Sequence, residues 1–360
     1  MPFDLFTSRR RSRASVALRF AALAALASTA VALPRPSVAA HAAAKGPFVI
    51  GFSNNLVGNG WREEMICSAK ADANVSHGLV KKVIVSDING SAAQQIAGIR
   101  TLISSGVNAL IIDPPDATSL NGVIQEATRR GIVVVIVDSF INSPLPYQAA
   151  NDQVAYGRLG MEWLAKRLHG KGNVVLLQGA AGVPADTDRY TGIQQALKEY
   201  PGIKVLAKPY TNWQFAQGGQ DMLNLLNAYK NINGVWTSGI DYTAVSAFQT
   251  ARRAYVPVVG ADNNGFVKQL LQMHGQGVDG AAVTNPANIG GVGMSIALRV
   301  LQGQSVPKKT TLTPKVWDYA SNRAALQSHY LPSQAPTYSV QYDIAPYTHY
   351  TKDQLFAACK

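Results

Sequence analysis

Cysteine is scarce in this chain: only Cys67 and Cys359 occur in 360 residues. Neither belongs to a CxxC pair, which excludes a cysteine-based zinc site. The six histidines, at 41, 77, 169, 274, 329 and 349, stand at no ligand spacing from one another or from a cysteine, so no metal is expected. Catalytic signatures are missing as well. There is no GxSxG elbow, no GxxxxGK[ST] phosphate loop, no GxGxxG after the first strand and no HExxH. GNG at 58 to 60 lacks the third glycine, and bulky Trp61 follows where a pyrophosphate would need room. The acidic pair Glu63 and Glu64 falls in a first helical turn, where the helix dipole accounts for it. The expectation is a protein that is not an enzyme and takes no cofactor.

Long apolar runs are also absent. The alanine-rich stretch from 20 to 33 is shorter than the roughly 20 residues needed to span a bilayer. It is preceded by Arg9, Arg10, Arg11, Arg13 and Arg19 and followed by small residues up to Ala44, the pattern of a secretory signal peptide. Residues 1 to 44 are read as that leader, with cleavage between Ala40 and Lys45 and the mature protein exported. No cysteine near the cleavage position offers a lipid anchor. The leader also distorts the charge. Six Arg and one Asp precede residue 45, so the formal +12 of the full chain falls to about +7 after cleavage. The remaining basic residues are scattered, with no basic stripe and no helix-turn-helix pattern, and nucleic acid is not an expected partner. In an oxidising compartment Cys67 and Cys359 can pair, tying the first helix to the extreme C-terminus, or stay two unrelated thiols.

What is present is an alternation of β-branched runs and helical patterns, the mark of parallel sheets covered on both faces. Strands are expected at 48 to 52, 81 to 87, 108 to 113 and 132 to 138, then at 173 to 179, 203 to 210, 233 to 239 and 256 to 262. Helices are expected to start near Arg62, Ala92 and Ser119 in the first set, and near Val154, Asp188, Gln217, Tyr242 and Gly265 in the second. Two β-α-β sets of similar length imply an α/β protein of two similar doubly wound parallel-sheet lobes. The stretch 279 to 303 reads as a strand and a long helix that could complete either lobe, and LTPKVW at 312 to 317 as one short strand. The Tyr-rich, Pro-rich tail beyond it has too many aromatics for disorder and is expected to pack back on the lobes.

Ligands of open α/β sheets lie beyond the carboxyl ends of the strands. The polar and aromatic residues expected there are Asn59, Trp61 and Arg62 in GFSNNLVGNGWREEM, then Asp138, Asp186, Asp188 and Arg189, Trp213, Asp241 and Asp262. Some have plainer explanations. A strand-end Asp such as Asp113 or Asp241 is often a helix cap or turn former, and Trp213 could be a core residue. Arg189 near a helix start is unfavourable for the dipole, which points to a hydroxyl-rich or negative partner.

With these elements in order, the chain resembles the type I periplasmic sugar-binding proteins of ABC transporters, the group containing the ribose and galactofuranose binders. The resemblance runs over residues 47 to 317. It is carried by GFSNN with NGWR (51 to 62), GVNALIIDPPD (106 to 116), IVVVIVDS (132 to 139), ANDQVAYGRLGMEWLAK (150 to 166), VVLLQGAAGVPADTDRYTGIQQAL (174 to 197), VVGADN (258 to 263) and TNPANIGGVG (284 to 293). It implies lobes of 45 to 150 plus 286 to 312 and of 151 to 285 plus 313 to 317, a tail of 318 to 360, and crossovers near 150 to 153, 283 to 286 and 312 to 314. It further implies a sugar or polyol held by Asn59, Trp61, Arg62 and Asp138 from one lobe and Arg189, Trp213, Asp241 and Asp262 from the other, with Asn285 at the hinge. Delivery to an ABC permease by a monomeric protein is the implied role. Ile240, Ser139 and Thr284 depart from the ribose pattern and argue against ribose itself. Two other roles stay open on sequence alone. One is a receptor presenting a sugar or autoinducer to a chemoreceptor or sensor kinase. The other is an exported sugar-active enzyme, which would need a carboxylate pair or metal flanking a scissile bond.

Overall fold

The computed structural model describes residues 45–360, so the expected leader and its cleavage position lie outside the described residues. The first run of elements is β1 (Phe48–Asn54), α1 (Gly60–Asn74), β2 (Val80–Asp87), α2 (Ala92–Ser104), β3 (Ala109–Ile112), α3 (Asn121–Arg129), β4 (Val133–Val137) and β5 (Tyr147–Asn151). The second is α4 (Gln153–Arg167), β6 (Lys171–Leu177), α5 (Pro184–Glu199), β7 (Gly202–Ala207), α6 (Phe215–Ala228), β8 (Gly234–Thr237), α7 (Asp241–Thr250), β9 (Val258–Ala261), α8 (Asn264–Gln272) and β10 (Gly280–Val283). The chain ends with α9 (Ile289–Leu301), β11 (Lys309–Leu312), β12 (Val316–Asp318), α10 (Tyr319–His329) and α11 (Lys352–Ala357).

Two six-stranded sheets result, ordered β11-β5-β4-β3-β1-β2 and β12-β10-β9-β8-β6-β7. Their strand orders correspond position for position, so the lobes share one topology. They differ at the sixth strand, where β11 runs parallel to β5 and β12 antiparallel to β10. Central strands β3, β4, β8 and β9 are buried along their whole length, as strands covered by helices on both faces must be. Edge strand β2 instead exposes Lys81 and Lys82, charges that discourage pairing with another chain.

The chain passes between the sheets at Asn151–Gln153, at 284–288 and at 313–315. The third passage breaks the single strand expected over LTPKVW into β11 and β12. Pro314 has no amide hydrogen for a ladder, and the chain changes sheets around it. β5 was legible only as a crossover, because YQAAN has no β-branched residue. α5 starts one turn earlier than expected, with Pro184 in its first turn, where a missing amide hydrogen costs nothing. Helix α9 completes the first lobe: Ile289, Val292, Ile296 and Val300 are buried with Phe52, Met65 and Val135 in one apolar cluster. The tail packs on both lobes. Leu331 and Val340 join the second core, Ile344 joins the first, and Cys359 is disulfide-bonded to Cys67 of α1 with Cα atoms 4.9 Å apart.

Candidate ligand-binding site

A cavity lies where the carboxyl ends of the two sheets meet. The first lobe lines it with Asn59, Trp61, Arg62 and Asp138, and the second with Arg189, Trp213, Phe215, Ser238, Gly239, Ala261 and Asn263. Asn285 of a crossover and Thr337 of the tail complete the wall. The lobes are closed on it: Asn59 Nδ2 donates to the Trp213 carbonyl at 2.8 Å, and about 40 Å³ remains for the centres of water molecules.

Local chemistry fixes each side chain. Asn59 caps α1, its Oδ1 accepting from the amides of Trp61 at 3.0 Å and Arg62 at 3.4 Å. With its amide nitrogen committed to Trp213, Asn59 is a structural clasp on the cavity wall. Trp61 donates through Nε1 to the Asn285 carbonyl at 2.7 Å and lines the cavity. Arg62 is buried, ion-paired with Asp113, and donates to Asn54 Oδ1 at 3.1 Å. Asp138 leaves β4 with φ of 68°, a left-handed conformation that Asp tolerates better than most residues. Gln153 Nε2 stands 3.4 Å from its Oδ1.

On the second lobe, α4 and α5 cross so closely that a Cβ on Gly157 would stand 1.9 Å from the Arg189 carbonyl oxygen. The crossing places the buried Arg189 guanidinium 4.2 Å from the Tyr156 ring centroid. Its Nε donates to Gln153 Oε1 at 2.8 Å, and Nη1 donates to the Ser238 carbonyl at 2.9 Å. Trp213 is left-handed, with φ of 52°, a strained state for a bulky residue and of the kind that collects at binding sites. Its ring lies over Gly179, where a Cβ would come within 2.2 Å of it, and its Nε1 donates to the Ser238 carbonyl at 2.9 Å. The Arg62 guanidinium stands 5.9 Å from the same ring's centroid.

Asp241 and Asp262 correct the sequence expectation, because neither lines the cavity. Asp241 accepts from Thr237 Oγ1 at 2.9 Å and the Ala261 amide at 3.2 Å, and takes a bond from Asn263 Nδ2. Asp262 accepts from the Asn285 amide at 2.9 Å and from Ser339 Oγ at 3.2 Å. Successive residues at a strand end point to opposite sides, so Ala261 and Asn263 face the cavity while Asp262 braces it from behind. Asp186 is likewise a brace, accepting the Gly179 amide at 2.5 Å. The departures weighed at Ser139 and Ile240 also fall behind the wall. Ser139 is buried outside the lining, and Ile240 packs on Gly218. Phe215, Ser238, Asn263 and Thr337 are lining residues that sequence reasoning missed.

Burial sets the electrostatics. It lowers the Arg62 pKa to about 10 against the opposing pull of Asp138. It raises the Asp138 carboxyl despite the nearby Arg62 and Arg189 guanidinium groups. Behind the wall, burial lifts Asp241 to about 7 and Asp262 to about 6. Two guanidinium groups thus face the carboxylates of Asp113 and Asp138, a balance that suits an uncharged ligand.

Residues 50–305 match the periplasmic binding protein domain. A xylitol-binding protein of Mycolicibacterium smegmatis is 32% identical over 62% of this chain, a match spanning 65% of that relative, just under two thirds of its length. Among solved structures, an ABC transporter solute binding protein from Thermobispora bispora superposes with a TM-score of 0.74 at 27% identity, covering 81% of this chain and 90% of that one. The periplasmic binding protein component of the arabinose ABC transporter of a Shewanella species, bound to L-arabinofuranose, gives 0.71 at 26% identity, covering 78% and 95%. Two lobes of one topology, three crossovers and a cavity at the facing strand ends agree with that match: the chain belongs to the periplasmic binding protein family, with the type I arrangement of lobes.

Proposed function

We propose that this protein is the periplasmic solute-binding component of an ABC importer, capturing one neutral sugar or polyol between its lobes. The observation that carries the reading is the composition of one cavity. Trp61 of the first lobe and Trp213 and Phe215 of the second offer aromatic surfaces, while Asp138, Arg62, Arg189 and the Asn285 side chain offer charged and polar groups. A sugar has C–H faces that suit aromatic rings and an equator of hydroxyls that must be paired when buried, an unpaired one costing about 1–3 kcal/mol. Hydrogen bonds from charged groups to such hydroxyls contribute roughly 1.5–3 kcal/mol each. The relatives named for xylitol and arabinofuranose support the ligand class.

Hinge closure around a ligand is the established behaviour of periplasmic binding proteins. Opening here requires the Asn59–Trp213 bond to break, and a ligand touching both lobes shifts the population back to the closed form. The closed protein, acting as a monomer, presents a surface that a permease reads. Residues 1 to 44 direct export and are removed between Ala40 and Lys45. A thermal-shift screen of xylitol, D-ribose, L-arabinose, D-fructose and myo-inositol tests the reading, since a bound ligand raises Tm by mass action. At least one compound raises Tm and is recovered chemically unchanged; no shift with any of them, or conversion to product, contradicts the proposal.

A further inference from the structure

The tail beyond β12 lies outside the stretch matched to the family domain, yet Thr337 stands on the cavity wall. Its position is not accidental surface packing. The preceding turn is stapled to the N-terminus of α8: Leu331 N donates to Asn264 Oδ1 at 3.0 Å, and Asn264 Nδ2 donates to the Leu331 carbonyl at 2.7 Å. The residues on either side of Thr337 are held too, with Gly265 N donating to the Pro336 carbonyl at 2.8 Å and Asn264 N to the Tyr338 carbonyl at 2.7 Å. Thr337 is therefore fixed to the second lobe while its side chain reaches the first. A Cβ on Gly60, the opening residue of α1, would stand 1.9 Å from Thr337 Oγ1, so only glycine there admits this approach.

Two residues on, Ser339 ties the lobes directly. Its amide donates to Glu64 Oε2 at 2.7 Å and its hydroxyl to Asp262 Oδ2 at 3.2 Å. Further along, the tail is fastened to the first lobe by Asn288 Nδ2 donating to the Gln341 carbonyl at 2.7 Å and by the Cys67–Cys359 bond. The tail is thus a fourth connection between lobes, and it crosses beside the cavity. Ser339 has both its groups engaged, whereas the hydrogen bonds that anchor this segment leave the Thr337 hydroxyl unused.

From this geometry we infer that Thr337 is a specificity residue of the ligand site, its hydroxyl pairing with one ligand hydroxyl. The inference rests on the sugar or polyol reading above. Calorimetric titration of the full chain, Thr337→Val and Thr337→Ser with the tightest binder among xylitol, D-ribose, L-arabinose, D-fructose and myo-inositol tests it. Valine keeps the shape and removes the hydroxyl, and it weakens binding about threefold to tenfold, the worth of one hydrogen bond, with ligand-free melting unchanged. Serine restores the hydroxyl and binds within about twofold of the parent, which a merely structural role would not require. Valine binding as tightly as threonine, or serine binding as weakly as valine, overturns the role of Thr337 and leaves the sugar reading standing. If none of the five compounds binds the parent, the sugar reading falls and the role of Thr337 with it.

Discussion

Replacing Asp138 by Asn separates two effects that most substitutions confound. Asparagine has nearly the same shape and tolerates the left-handed φ of 68° at this position, so the backbone at the end of β4 is preserved. What changes is charge. Burial raises the Asp138 pKa in the folded protein even against Arg62 and Arg189. An acid whose folded pKa is raised costs stability once it ionises above its unfolded pKa, so a neutral side chain removes that cost at neutral pH. Ligand-free Tm therefore stays level or rises. Affinity moves the other way. A carboxylate binds a sugar hydroxyl by a charge-assisted bond of roughly 1.5–3 kcal/mol, and an amide supplies about 1 kcal/mol, so about 0.5–2 kcal/mol of binding is lost per bond. That corresponds to about twofold to thirtyfold weaker binding. Calorimetry and melting of the same preparations give both quantities. Unchanged affinity, or a drop in Tm that parallels the affinity loss, would refute the assignment of Asp138 to the ligand.

Three other outcomes are expected. Gly179→Ala places a methyl 2.2 Å from the Trp213 ring and displaces it, lowering affinity by about tenfold or more while the second core stays folded; normal affinity would mean that Trp213 is dispensable. Asp241 and Asp262, lifted to about 7 and 6, hold protons that the unfolded chain releases near pH 4, so their contribution is full below that pH and is lost as pH rises through about 7. Tm is thus higher at pH 5 than at pH 8, and the reverse order would contradict the burial argument. Reducing Cys67–Cys359, which closes a 292-residue separation, adds two hydrogens to the intact mass and destabilises by about 2–4 kcal/mol in denaturant unfolding; an unchanged mass shows that the bond was not formed.

Much of the architecture was legible because β-branched runs such as VVVIV at 133–137 leave little alternative to a buried parallel strand. Asn59, Trp61, Arg62, Asp138, Arg189 and Trp213 were legible because they sit at strand ends or in the loops and helix starts that follow, Asn285 was implied by the resemblance alone, and all seven line the cavity wall. Asp241 and Asp262 satisfied the same positional rule and are not on that wall. A strand-end position does not say which way a side chain points, and both carboxylates are spent on amides and hydroxyls behind the cavity. Phe215 and Ser238 lay within two residues of positions already weighed, but their direction is set by the left-handed turn at Asn212 and Trp213 and by the bonds to Arg189. Thr337 had no sequence signal, since what brings it to the site is the stapling of the tail to α8.

On the proposed function, the ligand sits between the lobes and touches both. A crystal structure of the protein with the tightest binder from the sugar and polyol screen tests it most directly. The compound is expected enclosed between Trp61 on one side and Trp213 with Phe215 on the other, its hydroxyls paired with Asp138, Arg62, Arg189 and Asn285. A compound bound to one lobe alone, or seated outside this cavity, would contradict it.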